Sequence, residues 1–295
     1  MKVVVSGASG LIGSALVPAL RADGHEVIRL VRRESSGADE IRWDPAAGEL
    51  DAARLQGVDT LVNLSGEYLG KRWTEARKRA ILDSRVESTD LLARTAAALD
   101  PPPALVVASA VGLYGDRGDE ILTEESPPGS GFLADVVRAW EGAADPARQA
   151  GVRVVNLRQG IVLAKEGGAL KSMLLPFKLG VGGRVGSGKQ WWSWVATDDL
   201  VAAYAYALRS DIDGAVNVTS PNPATNGQFT KALGSVLRRP TIFPVPALAA
   251  RALFGEMGDA MLLGGQRVLP ARLLDAGFEF SAPTIDAGLA RALAA

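Results

Sequence analysis

Apolar positions along this chain switch between two periods. Val3–Ser6 opens as a short β-branched run, the mark of a buried strand. Across Ser14–Ala22 the apolar positions Leu16, Val17 and Leu20 recur at helical spacing, and Gly24 stands just past them, where a helix C-terminus favours glycine. Glu26–Val31 predicts the next strand. Further strands are predicted at Thr60–Leu64, Ala104–Ser109, Val152–Leu157 and Gly214–Val218, with helices at Trp73–Leu99, Leu133–Gln149 and Asp198–Arg209. Strands alternating with helices of this length imply parallel βαβ units. The expected fold class is therefore α/β, a Rossmann-type doubly wound parallel sheet.

Two stretches break the alternation. Gly167–Gln190 is glycine-rich around Gly180-Val181-Gly182-Gly183, and beyond Ser220 prolines punctuate the chain at Pro221, Pro223, Pro240, Pro244 and Pro246. Both are assigned to a smaller lobe over the carboxyl edge of the sheet, where doubly wound folds bind ligands. The expected division is a Rossmann domain over residues 1–165, completed by about 194–220, and a substrate-side lobe from 166–193 and 221–295.

Composition narrows the chemistry. With 295 residues, 47% hydrophobic and 22% charged, the chain can fill a full core. Its net charge of −1 gives no field that favours nucleic acid or an anionic membrane, so neither is expected as a partner. It has no cysteine and a single histidine, His25, which excludes thiolate chemistry and an imidazole metal cluster. No window reaches the ~18 apolar residues of a membrane helix, and Val3-Val4-Val5 is too short for a secretory signal. A cytoplasmic protein is expected.

Gly7, Gly10 and Gly13 then carry weight through their position. Gly7-Ala8-Ser9-Gly10-Leu11-Ile12-Gly13 lies directly between the first strand and the first helix. Glycine serves there for a tight turn, for close approach of backbone to a pyrophosphate, and for close helix packing. The anion would sit at the positive end of the helix. At the end of the second strand, ~20 residues on, NAD enzymes place an acid on the ribose 2′-hydroxyl. Here that position holds Arg32, followed by Arg33. Two guanidiniums suit a 2′-phosphate and offer nothing to a bare ribose, so NADP(H) is the expected cofactor.

The glycine turn, with Asn63-Leu64-Ser65-Gly66, Ser109-Ala110-Val111-Gly112-Leu113-Tyr114-Gly115 and Ser193-Trp194-Val195-Ala196-Thr197-Asp198-Asp199-Leu200, resembles the extended short-chain dehydrogenase/reductases. More narrowly, Arg72-Trp73-Thr74, Ser84-Arg85 and the tail motif Gly265-Gln266-Arg267-Val268-Leu269-Pro270 resemble the atypical YfcH-type epimerase family, often labelled nucleoside-diphosphate-sugar epimerases. The resemblance spans essentially the whole chain. It implies cofactor contacts from Gly7 to Gly13, from Arg32 and Arg33, from Leu64, Ser65 and Gly66, and from Arg85. It also implies that Ser109, Ala110, Gln159, Gly160 and Ile161 flank the nicotinamide, and it implies a homodimer.

One departure is central. Ordinary members carry a Tyr-x-x-x-Lys pair on the helix after Ser-x-x-x-Tyr-Gly, in which the lysine charge tunes the tyrosine for proton transfer. Counting from Glu141 places Leu133 and Val137 at those positions, and a shift of one gives Phe132 and Val136. Neither register supplies a proton carrier. Tyr114 and Ser109 are the remaining candidates for catalysis, with Tyr68, Lys71 and Asp116 on nearby segments. Asp198 and Asp199 read as helix caps, and Lys71-Arg72 with Arg77-Lys78-Arg79 as a basic cluster on a solvated face or beside a phosphate-bearing substrate. Trp191, Trp192 and Trp194 read as anchors of the smaller lobe. The expectation is an NADP(H)-dependent oxidoreductase or epimerase acting on an unidentified small molecule. The alternative is a non-catalytic NADP(H)-binding sensor or docking protein.

Overall fold

The structure, a computed structural model, describes residues 1–294. Its main sheet contains β1 (Lys2–Ser6), β2 (Glu26–Val31), β3 (Glu40–Asp44), β4 (Glu49–Leu50), β5 (Thr60–Asn63), β6 (Ala104–Ala110), β7 (Val154–Gln159) and β8 (Gly214–Val218), in the spatial order β8-β7-β6-β5-β1-β2-β3-β4. Every pairing is parallel except that of the terminal β4 with β3. Strand order reverses between β1 and β5. This is the doubly wound Rossmann arrangement, and its crevice opens at that switch point.

Side chains leave alternate faces of each strand, and the core divides accordingly. Val4, Ile28, Leu30, Leu61, Leu105 and Val107 pack on one face against Leu92, Ala93 and Ala96 of α2 (Glu75–Ala98) and Trp140 of α3 (Phe132–Gly142). Val3, Val5, Val27, Val62, Val106 and Val155 pack on the other against Leu16, Val17 and Leu20 of the first helix, α1 (Gly13–Ala22), and Leu200, Ala203 and Tyr204 of the helix Thr197–Arg209. Burial on both faces explains why these strands read as apolar runs. No described helix is long and apolar enough to cross a membrane.

The element boundaries differ from the sequence expectation in several places. The Glu40–Asp44 strand was not expected, because its pattern is Glu-Ile-Arg-Trp-Asp and two of its buried groups are Glu40 and Trp43. The helix expected over Leu133–Gln149 is two, α3 and Asp145–Gln149, with Pro146 in the first turn of the second. Proline lacks the N–H that a continuous helix would need there. The strand expected at Val152–Leu157 runs Val154–Gln159, which moves Gln159 inside it. Gly167–Gln190 contains the helix Gly168–Lys178.

A further apolar cluster gathers Leu163, Leu170, Phe177, Trp192, Trp194, Phe229, Leu233 and Leu289, drawing on both segments expected for the smaller lobe and on Leu163 and Trp194 outside them. Trp192 stacks edge-on against Phe229 with ring centroids 5.2 Å apart. Trp191 donates its indole N–H to Asp119 at 2.6 Å and lies under the Arg267 guanidinium. Trp192 and Trp194 thus lie inside this cluster, while Trp191 sits at its edge between Asp119 and Arg267. Asp198 and Asp199 do not cap their own helix. Asp199 accepts from Ser281 and Ala282, and Asp198 pairs with Arg291, so both hold the C-terminal segment down.

Candidate functional site

The glycine turn is shaped by backbone contacts that no side chain would permit. Gly7 has φ +67°, and a Cβ there would lie 2.8 Å from the Leu64 carbonyl. A Cβ on Gly13 would lie 2.4 Å from the Gly7 carbonyl oxygen and 2.6 Å from Cα of Ala8. At Gly10 the nearest approach is 3.2 Å, so Gly7 and Gly13 carry the steric requirement. The helix that follows has no side-chain cap and no acid in its first turn. The Ser14 and Ala15 N–H groups turn back to the Gly10 and Ile12 carbonyls, at 2.9 and 3.1 Å, and the positive dipole end is left without an acidic side chain, which suits an anion.

A buried polar knot holds the switch point in register. Asn63 accepts from Ser6 Oγ at 2.6 Å and from the Ser65 N–H at 3.1 Å, and donates to Ser88 Oγ and Thr89 Oγ1 at 3.1 and 2.8 Å. Ser65 Oγ donates to Ser6 Oγ at 3.0 Å. The segment Leu64-Ser65-Gly66 is in this way fixed beside the glycine turn. Beneath Gly66 lies Arg85, whose guanidinium carbon would be 3.0 Å from a Cβ at that glycine. Arg85 is buried, donates to the Glu67 and Ile81 carbonyls, and rests 5.0 Å over Trp140. Desolvation lowers its pKa to about 10. It makes no ion pair with a carboxylate among the described residues, and burial without one is costly for a cation.

The two arginines at the end of β2 part company. Arg33 binds Glu40 with both nitrogens, at 2.8 and 2.6 Å. Glu40 also accepts from Ser36 and pairs with Arg29. Arg32 is exposed and has no hydrogen-bond or ion-pair partner among the described residues. Of the two arginines expected at the cofactor, Arg33 is committed to neutralising a buried carboxylate and Arg32 is left without a partner among the described residues.

The two catalytic candidates are withdrawn from the crevice. The Tyr114 side chain is fully buried; its hydroxyl donates to Asn217 Oδ1 at 2.7 Å and accepts from Arg158 at 3.0 Å. Burial raises its pKa, against the charge of Arg158. Ser109 donates to Glu141 at 2.6 Å, and Glu141 is clasped by Arg158 at 2.8 Å through each oxygen. Tyr114, Ser109, Glu141, Arg158 and Asn217 form one internal network that joins β6, α3, β7 and β8. A hydroxyl with its donor and acceptor capacity both used inside the protein has no proton to exchange at the crevice. Gln159 is likewise turned inward, donating to Tyr204 at 2.6 Å. Gly160 passes close under Ser193, where a Cβ would lie 2.6 Å from its carbonyl oxygen, and Ala110 and Ile161 are half-buried at their strand ends.

At the head of α3, Leu133 faces Gly112 just after β6, its Cβ 3.3 Å from where a Gly112 Cβ would stand. Leu133 and Phe132 belong to an apolar cluster with Leu69, Trp73, Val136, Met257, Ala260 and Met261. Sequence reasoning missed the last three, because they come from the distant tail. Tyr68, Lys71 and Asp116 are exposed on loops. Two of the five basic residues in the cluster are ion-paired, Arg77 with Glu67 and Lys78 with Glu75 and Glu256, and Arg72 donates to the Ala252 carbonyl.

Comparison with known proteins agrees with this architecture. Residues 3–219 match the NAD dependent epimerase/dehydratase family, and residues 245–292 match a domain of unknown function, DUF1731. The chain is 45% identical over 290 residues to epimerase family protein MT2273 of Mycobacterium tuberculosis, covering 97% of this chain and 96% of that one. It superposes on the crystal structure of human epimerase family protein SDR39U1 with NADPH at a TM-score of 0.88 and 37% identity, covering 99% and 98% of the two chains. A nucleoside-diphosphate sugar epimerase of Corynebacterium glutamicum gives a TM-score of 0.82 at 39% identity, over 99% of this chain and 58% of that one. The chain belongs to the NAD dependent epimerase/dehydratase family, as an atypical extended short-chain dehydrogenase/reductase of the SDR39U1 type.

Proposed function

We propose that this protein binds NADP(H) in the crevice between β1 and β5 and acts as an oxidoreductase on a small molecule. The observation that carries the cofactor assignment is the pairing of an uncapped helix N-terminus behind Gly7–Gly13 with an unpaired Arg32 at the end of β2. The first site takes a pyrophosphate and the second a 2′-phosphate. Arg85 beneath Gly66 adds a buried positive charge that lacks a carboxylate. The similarity to a relative whose structure contains NADPH supports the same reading. When bound, the nicotinamide supplies hydride chemistry. The chain's own residues bind and orient it through Ser65, Gly66 and Ala110, whose strand ends border the crevice.

Competition titration of NADPH against NADH tests this directly. The wild-type protein is expected to prefer NADPH by about 10–100-fold, the scale of a charge-assisted contact to a phosphate. Arg32→Ala should abolish the preference while leaving NADH affinity unchanged. Equal affinity of the wild type for both cofactors would overturn the assignment. A second reading has one specific observation in its favour. Counting from Glu141 puts Leu133 and Val137 at the relay positions, and a shift of one puts Phe132 and Val136 there; neither pair carries a proton, which a non-catalytic NADP(H) sensor would tolerate.

A further inference from the structure

Large apolar side chains on the surface of this protein are not scattered. Eight of the twelve that are exposed among the described residues fall in two segments, 167–190 and 221–255. In the helix Gly168–Lys178, Leu170 and Phe177 are buried. Lys171, Leu175, Lys178 and the following Leu179 share its outward stripe at i, i+4, i+7 and i+8, and all four are exposed. The helix Ala247–Phe254 reads Ala-Leu-Ala-Ala-Arg-Ala-Leu-Phe, yet only Ala250 is buried and Leu248 is 77% exposed. A helix this apolar is ordinarily covered.

The two segments form one surface. Gly183 bridges to Ile242 and Val185 to Val245. The Val245 N–H donates to the Arg184 carbonyl at 2.8 Å, and the Gly186 N–H to the Val245 carbonyl at 2.9 Å. Gly186 also lies against Ala247. The loop bearing Val181 is in this way laid along the stretch of Ile242 and Phe243, both exposed, which leads into Leu248. A contiguous exposed apolar patch marks an interaction site.

Charge selects the occupant. Neither segment contains an aspartate or a glutamate. The first carries Lys171, Lys178, Arg184 and Lys189, the second Lys231, Arg238, Arg239 and Arg251, all exposed. Of these only Arg251 pairs with a carboxylate among the described residues, Asp259 at 2.7 Å. Acids stand at the borders: Glu166 precedes the first segment, Glu256 is bound to Lys78, and Asp116 lies against Gly264. The net charge of −1 conceals this asymmetry. A second copy seated symmetrically would set like charge against like. A nucleic acid would meet aliphatic side chains where it needs polar or stacking groups. An anionic bilayer offers phosphates to the cations and an acyl boundary to Leu175, Ile242 and Leu248.

Independently of the NADP(H) reading, we propose that the face built from residues 167–190 and 221–255 docks on an anionic lipid bilayer, lying in its interface without crossing it. The exposed leucines, Ile242 and Phe243 enter the acyl boundary, and the lysines and arginines beside them reach the headgroup phosphates.

Flotation of the full chain with vesicles tests this. Vesicles of phosphatidylglycerol and phosphatidylcholine in equal parts should carry the protein about tenfold more strongly than phosphatidylcholine alone. The difference should shrink in about 1 M salt, where the screening length falls to ~3 Å. Leu248→Glu should weaken partitioning about tenfold, and so should Lys178→Glu combined with Arg239→Glu. Leu274→Glu, at an exposed apolar position outside both segments, should leave it unchanged. These side chains are all exposed, so melting temperatures close to wild type are expected, and either patch variant carries the test if the other fails to fold. Because the chain has no cysteine, Phe243→Cys takes a single environment-sensitive dye, whose emission should shift to the blue on anionic vesicles. No flotation, equal flotation with both vesicle types, or flotation unmoved by both patch variants would overturn the proposal. So would dimerisation without vesicle binding that Leu248→Glu abolishes, which gives the face to a second copy, or retention on heparin without vesicle binding, which gives it to a polyanion.

Discussion

Arg32 and Arg33 are adjacent and chemically identical, yet the fold gives them different work. Arg33 is bound to Glu40, whose side chain is 1% exposed, whereas Arg32 points away from any partner. The Arg33 hydrogen bond, with help from the Ser36 N–H, holds the Glu40 carboxyl at about 2 against an ordinary 4.5. A carboxylate whose folded pKa is depressed contributes stability that is complete above its unfolded value and lost as pH falls through the folded one. Arg33→Ala should therefore lower Tm at pH 7, and the gap to wild type should narrow between pH 4.5 and 2. Thermal melts across that range check it, and a gap independent of pH would contradict it. Tyr114 shows the same dependence on surroundings. A tyrosine at the end of a strand reads as a proton carrier, but Arg158 and Asn217 use both sides of its oxygen.

Elements meet at the switch point through polar contacts that hydrophobic periodicity does not reveal. Asn63 ends β5, reaches β1 through Ser6, and reaches α2 through Ser88 and Thr89. All of these side chains except that of Ser65 are buried. Replacing Asn63 by Leu would remove one hydrogen bond from each of Ser6, Ser88 and Thr89 and leave the Ser65 N–H without its acceptor, at about 1–3 kcal/mol where a buried group goes unsatisfied. A loss of about 2–4 kcal/mol in urea unfolding is expected, with weaker NADPH binding because Leu64-Ser65-Gly66 loses its anchor. The strand at Glu40–Asp44 belongs to this scale too. Its alternation was legible only once Glu40 had a cation to satisfy it.

Across the whole molecule, the C-terminal segment folds back on the sheet domain through a few polar ties. Asp199 is 2% exposed and accepts from the Ser281 N–H at 2.8 Å, Ser281 Oγ at 2.6 Å and the Ala282 N–H at 3.2 Å. The segment leads to the helix Ile285–Ala294, which places Leu289 in the lobe core beside Trp194. Asp199→Ala should cost about 2 kcal/mol or more by leaving buried N–H groups unpaired. Limited proteolysis should then release the C-terminal helix before the sheet domain is cut. Simultaneous loss of both would show that the tie is not local.

The chain's own pattern determined the strands buried on both faces, because continuous apolar runs admit few other placements. It also determined the glycine turn, because Gly7 and Gly13 sit where any Cβ would strike backbone. Partnership between side chains far apart in sequence was decided only by the tertiary structure. Arg33 reads as a phosphate ligand until Glu40 stands beside it. Ser109 and Tyr114 read as catalytic until Glu141, Arg158 and Asn217 claim them. The apolar cluster at the head of α3 exists only where Met257 and Met261 are folded onto Trp73 and Leu133. Charge and hydrogen-bond satisfaction depend on distance in space, and a one-dimensional pattern carries no record of it.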